Sequence, residues 1–137
     1  MRIGVLASQG AFAEHIAMLH QLEVEVLPVR LLQELKGLDG LVIPGGESTS
    51  ISKLMLDYNL LSEIRNLAKN RLPILGTCAG MILLANEISG SDVESLRVLD
   101  ITVRRNAFGR QKESFETELS IPALGEKPFP AVFIRAP

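Results

Sequence analysis

One stretch holds residues arranged for covalent chemistry: Gly76-Thr77-Cys78-Ala79-Gly80. Pro73-Ile74-Leu75 before it is a short apolar run opened by proline, which suits the start of a buried strand. Met81 to Ala85 after it is helix-forming and apolar all round, so this helix is expected to be covered by other structure. The pattern G-x-C-x-G at a strand-to-helix switch has the spacing of a nucleophile elbow, where a strained turn holds a reactive side chain at a strand tip. Glycine on both flanks removes the Cβ atoms that would clash in so tight a turn. A thiol at a helix N-terminus also meets the positive end of the helix dipole, which favours thiolate. A lone cysteine is more often inert packing. Apolar neighbours would explain that alternative, but they do not explain the two glycines, and the spacing points to a nucleophile.

The rest of the chain supplies the elements that would position this thiol. Ile3 to Ala7 reads as a buried strand, Ser8-Gln9-Gly10 as a loop, and Phe12, Ile16 and Leu19 as one face of a helix. Val24 to Val29 is a second strand, with Pro28 suggesting a sheet edge. A polar connection with Leu32 and Leu35 leads to a third strand, Gly40 to Ile43, which ends in Pro44-Gly45-Gly46-Glu47-Ser48-Thr49-Ser50. Its hydroxyl residues are the expected caps of a helix bearing Ile51, Leu54 and Met55. A further helix carries Leu60, Leu61, Ile64, Leu67 and Ala68 on one face. Strand and helix alternate four times, which argues for an α/β fold with a parallel sheet and right-handed crossovers.

Ligands of open α/β sheets bind at the carboxyl ends of the strands. Three such ends are suggestive here: Ser8 to Gly10, Pro44 to Ser48, and the Cys78 turn. Paired glycines let backbone N–H groups approach a ligand as an oxyanion hole requires, although Gly45-Gly46 by itself is an ordinary turn signal. Beyond Ala85 the pattern changes. Asn86 to Glu94 is polar, and Val98 to Val103, Phe115 to Ile121 and Ala131 to Ile134 read as strands without helices between them, an antiparallel excursion. The basic loop Arg104 to Gln111 between the first two has the composition of a solvated turn.

With 137 residues the chain is expected to form one domain, residues 1–137, with an aliphatic core, since 47% of residues are hydrophobic and only 4% aromatic. A formal charge of −2 without like-charge blocks gives no footprint for nucleic acid or a membrane surface. A single cysteine forms no internal disulfide, the N-terminus lacks signal-peptide features, and no apolar run reaches membrane-spanning length. The expectation is a cytoplasmic protein.

Gly4-Val5-Leu6, Gln9-Gly10-Ala11 with Glu14-His15, and Pro44-Gly45-Gly46-Glu47-Ser48-Thr49 resemble a class I glutamine amidotransferase domain. Gly76 to Met81, Arg105-Asn106-Ala107-Phe108-Gly109-Arg110-Gln111 with Ser114-Phe115-Glu116, and Phe133-Ile134-Arg135-Ala136-Pro137 are similar to the glutaminase subunits of pyridoxal 5′-phosphate synthase. The matching segments run from one end of the sequence to the other, and the last two make the subfamily resemblance specific. With the alternation above, it implies a flavodoxin-like three-layer sandwich with a mostly parallel sheet and an antiparallel excursion in the C-terminal third. It implies hydrolysis of L-glutamine to glutamate and ammonia, with ammonia passed to a synthase subunit, and no metal or bound cofactor. Cys78 would form a γ-glutamyl thioester, with the N–H groups of Gly46 and Ala79 as the oxyanion hole. Gly46, Glu47, Ser48, Arg105, Ile134 and Arg135 would line the glutamine site, the arginines being suited to a carboxylate. Gln9 would lie near the site or the partner interface.

The sequence departs from this pattern in two places. Ser8 stands where the family usually has an apolar residue. The family carries its catalytic histidine and glutamate as His-Pro-Glu after the segment matching Ile134 to Pro137, where this sequence stops. The resemblance therefore implies a C-terminally truncated domain. The two histidines, His15 and His20, fall on the first helix, a usual place for surface or interface histidines, and neither is followed by Pro-Glu. The alternatives are a catalytically incompetent fragment or non-catalytic partner of the synthase and, against the subfamily segments, a peptidase-like cysteine hydrolase of the same architecture.

Overall fold

Strand β1 (Arg2–Leu6) lies at the centre of the site-bearing sheet because its neighbours on both sides run parallel to it. The computed structural model describes residues 1–104 and 115–133, which fall into two compact units, Met1–Val103 and Arg104–Pro137. In the first unit, β2 (Glu25–Val29), β1, β3 (Gly40–Ile43) and β4 (Ile74–Gly76) form a four-stranded sheet in the order β2-β1-β3-β4. The parallel register pairs Val5 with Pro28 and Val42, and Val42 with Leu75. Pro28, which has no N–H to give, stands on an edge strand, as expected.

Helices α1 (Phe12–His20), α2 (Ser48–Asp57), α3 (Leu60–Lys69) and α4 (Ala79–Leu84) occupy the connections. Strand alternation puts Leu6, Leu41 and Ile43 on one face of the sheet. They pack there with Ile51 and Met55 of α2, Leu60, Leu61 and Ile64 of α3, and Ala79, Leu83 and Leu84 of α4. Each large aliphatic side chain fully buried in this way contributes ~1.5–3 kcal/mol. Helix α1 lies against β1 and β2 and buries no residue completely.

Leu75 departs from the buried strand expected around it. It is 59% exposed, because β4 is an edge of the sheet among the described residues and Leu75 points to the face opposite α4. There it lines an apolar groove with Ile3, Val42, Leu19 and Leu22. Helix α4 is likewise only partly covered: Ala79, Gly80, Leu83 and Leu84 are buried, whereas Met81 is not.

The polar stretch after α4 contains a strand the sequence did not signal, β5 (Ala85–Ser89), paired with β6 (Leu99–Arg104). Between them a segment without regular structure buries Leu96 completely. Leu96 donates its N–H to Leu83 O at 2.6 Å, and its own carbonyl accepts from Arg65 Nε at 3.0 Å. Arg65 also pairs with Glu94, and Ser52 Oγ donates to the Glu94 carbonyl. The second unit contains β7 (Phe115–Leu119) and β8 (Phe129–Phe133), an antiparallel pair with Phe115 stacked on Phe133. The mixed α/β class, the mostly parallel sheet and the antiparallel C-terminal pairing are those expected.

Candidate active site

Cys78 joins the end of β4 to the start of α4 with φ 51° and ψ −110°, a conformation that L-residues rarely adopt. Such a backbone costs ~1–3 kcal/mol and persists only where its surroundings enforce it. Here Thr77 N–H donates to Ile43 O at 3.1 Å, Gly80 N–H to Thr77 O at 2.9 Å, and Ile82 N–H to Cys78 O at 3.2 Å. Gly80 lies so close to the Ile43 carbonyl oxygen that any Cβ there would overlap it, which explains the second glycine of the motif. Cys78 itself is exposed.

The loop after β3 lies directly against this turn. A methyl group on Gly45 would stand 3.3 Å from Cys78 Cβ and 3.9 Å from its Sγ. The loop after β1 closes on the same place. Ala11 N–H donates to Gly45 O at 3.1 Å, and Gly10, at φ +86°, packs where a side chain would strike that carbonyl. Three strand ends thus converge, as the rule for open α/β sheets requires.

Two backbone donors follow the residues that meet in this turn, Ala79 after Cys78 and Gly46 after Gly45. Ala79 is the first residue of α4, so its N–H has no partner within the helix, and Gly46 N–H has no acceptor among the described residues. These are the two groups expected to form the oxyanion hole. Gln9 is exposed on the β1 loop, where Gly46 packs against its carbonyl oxygen.

Glu47 differs from the expected caps of α2. It is Glu47, not a hydroxyl residue, that caps this helix, accepting from Thr49 N–H at 3.0 Å and from Ser50 N–H at 2.7 Å, with Ser50 Oγ at 2.8 Å. The Thr49 amide first, then the Ser50 hydroxyl and amide, hold its carboxyl at about 2, well below the usual range. Its side chain is therefore committed to the helix. Ser48 is buried at the first position of α2, and its hydroxyl has no hydrogen-bond partner among the described residues. Arg105, Ile134 and Arg135 lie outside the described residues.

One contact at the site was not anticipated from the sequence. His15 Nε2 lies 3.0 Å from Thr77 Oγ1, joining α1 to the residue before the nucleophile. Its position three residues into α1 carries no signal for this. His20 stands in the last turn of α1, at its surface. Among the described residues no helix is long and apolar enough to cross a membrane.

The SNO glutamine amidotransferase family model matches residues 5–137. A "Pyridoxal 5'-phosphate synthase subunit PdxT" of Moorella thermoacetica is 59% identical over 137 residues, which span all of this chain and 73% of the relative. A protein of the same name from Dehalococcoides mccartyi is 58% identical over 139 residues, covering all of this chain and 71% of its own length. A solved structure described as "Crystal structure of glutamine amidotransferase" superposes with a TM-score of 0.84 at 48% identity, covering 98% of this chain and 71% of that one. A putative peptidase E protein from Listeria monocytogenes gives a TM-score of 0.60 at 12% identity over 72% of this chain and 63% of its own, a likeness of fold alone. Sequence and structure agree that the chain belongs to the SNO glutamine amidotransferase family.

Proposed function

We propose that this chain is the glutaminase subunit of a pyridoxal 5′-phosphate synthase. It hydrolyses L-glutamine and delivers ammonia to a synthase partner in the cytoplasm. The observation that carries the reading is Cys78 at a strained strand-to-helix turn, with Gly45 against it and the Ala79 N–H directly after it, while the Gly46 N–H has no acceptor among the described residues. In this reading the Cys78 thiolate attacks the side-chain amide carbon of glutamine, and the oxygen takes the negative charge. Donors already in place for that charge need no reorganisation during the reaction. Collapse of the intermediate breaks the C–N bond as a proton passes to the leaving nitrogen, releasing ammonia and a γ-glutamyl thioester. Water then hydrolyses the thioester to glutamate and restores the thiol. Ser48 supports a substrate role, since a buried hydroxyl with no hydrogen-bond partner among the described residues can take one from a ligand. The family resemblance assigns Arg105, Ile134 and Arg135 to glutamine binding, the two arginines having the chemistry of cationic donors for a carboxylate. Gln9 faces the partner or the substrate entrance.

A second reading is a non-catalytic partner of the synthase. The observation beside it is that His15 is bonded to a threonine hydroxyl, and that neither His15 nor His20 forms a hydrogen bond with Cys78 among the described residues. Release of glutamate and ammonia in the presence of synthase separates the two readings. The measurement compares residues 1–137 with a chain extended by a His-Pro-Glu-bearing segment, each with and without Cys78→Ala. Turnover by the extended chain that depends on Cys78 establishes the glutaminase. Failure of both chains to release glutamate, with binding to synthase retained, establishes the second reading.

A further inference from the structure

The Cys78 turn is held from one side by backbone bonds to β3 and within α4, and from the other, among the described residues, by a side chain of α1. That side chain is His15, half-buried on α1, whose Nε2 meets the Thr77 hydroxyl at 3.0 Å. Thr77 is fixed at both backbone ends, by Ile43 O and by Gly80 N–H, so a force on its side chain is transmitted directly to the next residue, the strained Cys78. The same helix is preceded by its cap residue Ala11, whose N–H donates to Gly45 O. Helix α1 thus touches the nucleophile turn and the glycine loop at separate points and sets the gap between them.

We propose that His15 is a positioning residue for Cys78, acting through the Thr77 hydroxyl. The inference rests on the reading of Cys78 as the nucleophile of a glutaminase. A base for the thiol must lie within hydrogen-bond reach of it, and the ring nitrogen that faces this side is already engaged by Thr77. The ring holds the turn whichever partner donates, because a hydroxyl can both give and accept a hydrogen bond.

The test uses the complete subunit with its synthase and reads two quantities. One is kcat and KM for glutamine. The other is the second-order rate of Cys78 alkylation by iodoacetamide without glutamine. His15→Ala and Thr77→Val are each expected to lower kcat and the alkylation rate roughly tenfold, the scale of one hydrogen bond, with KM little changed. The double variant is expected to be no slower than either single one, the signature of a shared interaction. Thr77→Ser and His15→Gln, which keep a polar atom at each end, are expected to recover most of the rate. Additive losses, or a loss with His15→Ala and none with Thr77→Val, overturn the proposal, as does an unchanged rate in both. If His15→Ala fails to fold, the Thr77→Val and Thr77→Ser pair decides by the same readouts. If the wild-type complex releases no glutamate, the glutaminase reading fails, while the alkylation series still decides the role of His15.

Discussion

The N–H of Ala11 donates to the carbonyl oxygen of Gly45 at 3.1 Å, tying the loop after β1 to the loop after β3. In a trans peptide the carbonyl and the following N–H point in opposite directions. The bond to Ala11 therefore also fixes the direction of the Gly46 N–H, a proposed oxyanion donor. Ala11 has φ −80°, which proline can adopt, but Ala11→Pro both removes the donor and places the ring Cδ where the amide hydrogen points, against the Gly45 carbonyl, so it breaks this tie between the loops. The expected outcome is a fall in kcat approaching the ~10²-fold that loss of an oxyanion donor costs, together with a lower melting temperature. Steady-state glutamine hydrolysis with the synthase present checks it, and an unchanged kcat would detach this bond from catalysis.

Glu47 gives a prediction about acid. The hydrogen bonds from Thr49 and Ser50 hold its folded carboxyl at about 2, below its ordinary 4.5, so its stabilising contribution is complete above about 4.5 and is lost as pH falls toward 2. The melting temperature of Glu47→Gln is expected to lie below wild type at neutral pH, and the gap is expected to close as pH falls through that window. Glu47→Ala is expected to cost about 1 kcal/mol at neutral pH, the scale of a lost helix cap. A gap independent of pH between 5 and 2 would show that the carboxylate charge plays no part.

Gly80 is expected to be the least replaceable residue of the turn. Any Cβ there meets the Ile43 carbonyl oxygen, which lies in a sheet strand and cannot move alone. Gly80→Ala is expected to destabilise by about 1–3 kcal/mol or more, as overpacked sites do. Chemical denaturation checks this, and a loss within experimental error would mean that α4 shifts freely against β3.

Arg105 and Arg135 are expected to position glutamine rather than to hold the fold. Changing either to Ala in the complete enzyme should raise KM for glutamine at least tenfold, as loss of a charge-assisted hydrogen bond does, with little change in melting temperature. A large drop in melting temperature with unchanged glutamine affinity would assign them a structural role instead.

The parallel sheet was legible because each buried strand is a short apolar run cut off by glycine, proline or a polar loop. The Cys78 turn was legible because its glycines have no other explanation. What escaped the sequence depends on tertiary partners. Only Ala85 and Ile88 of β5 face inward, so its sequence reads as polar. Leu96 is held in place by its own N–H bond to the Leu83 carbonyl and by the bond its carbonyl accepts from Arg65, neither a near neighbour in sequence, and no periodicity encodes that. Ser48, Thr49 and Ser50 looked like caps by residue type, but the helix begins one residue earlier than a hydroxyl cap would need, and Glu47 takes the position. Leu75 looked buried because a sequence does not say which strand ends the sheet. The contact of His15 with Thr77 spans 62 positions and rests on the placement of α1 across the sheet.

Helix α1 buries none of its residues fully, whereas α2, α3 and α4 share the continuous core. A helix held in this way opens locally at low free energy, while core elements open only with the whole molecule. Its amide hydrogens should exchange with deuterium well before those of α3 and β3. The nucleophile turn would then sit between a slow-exchanging wall and a fast-exchanging one, and a macromolecule resting on α1 could slow the second wall without touching the first.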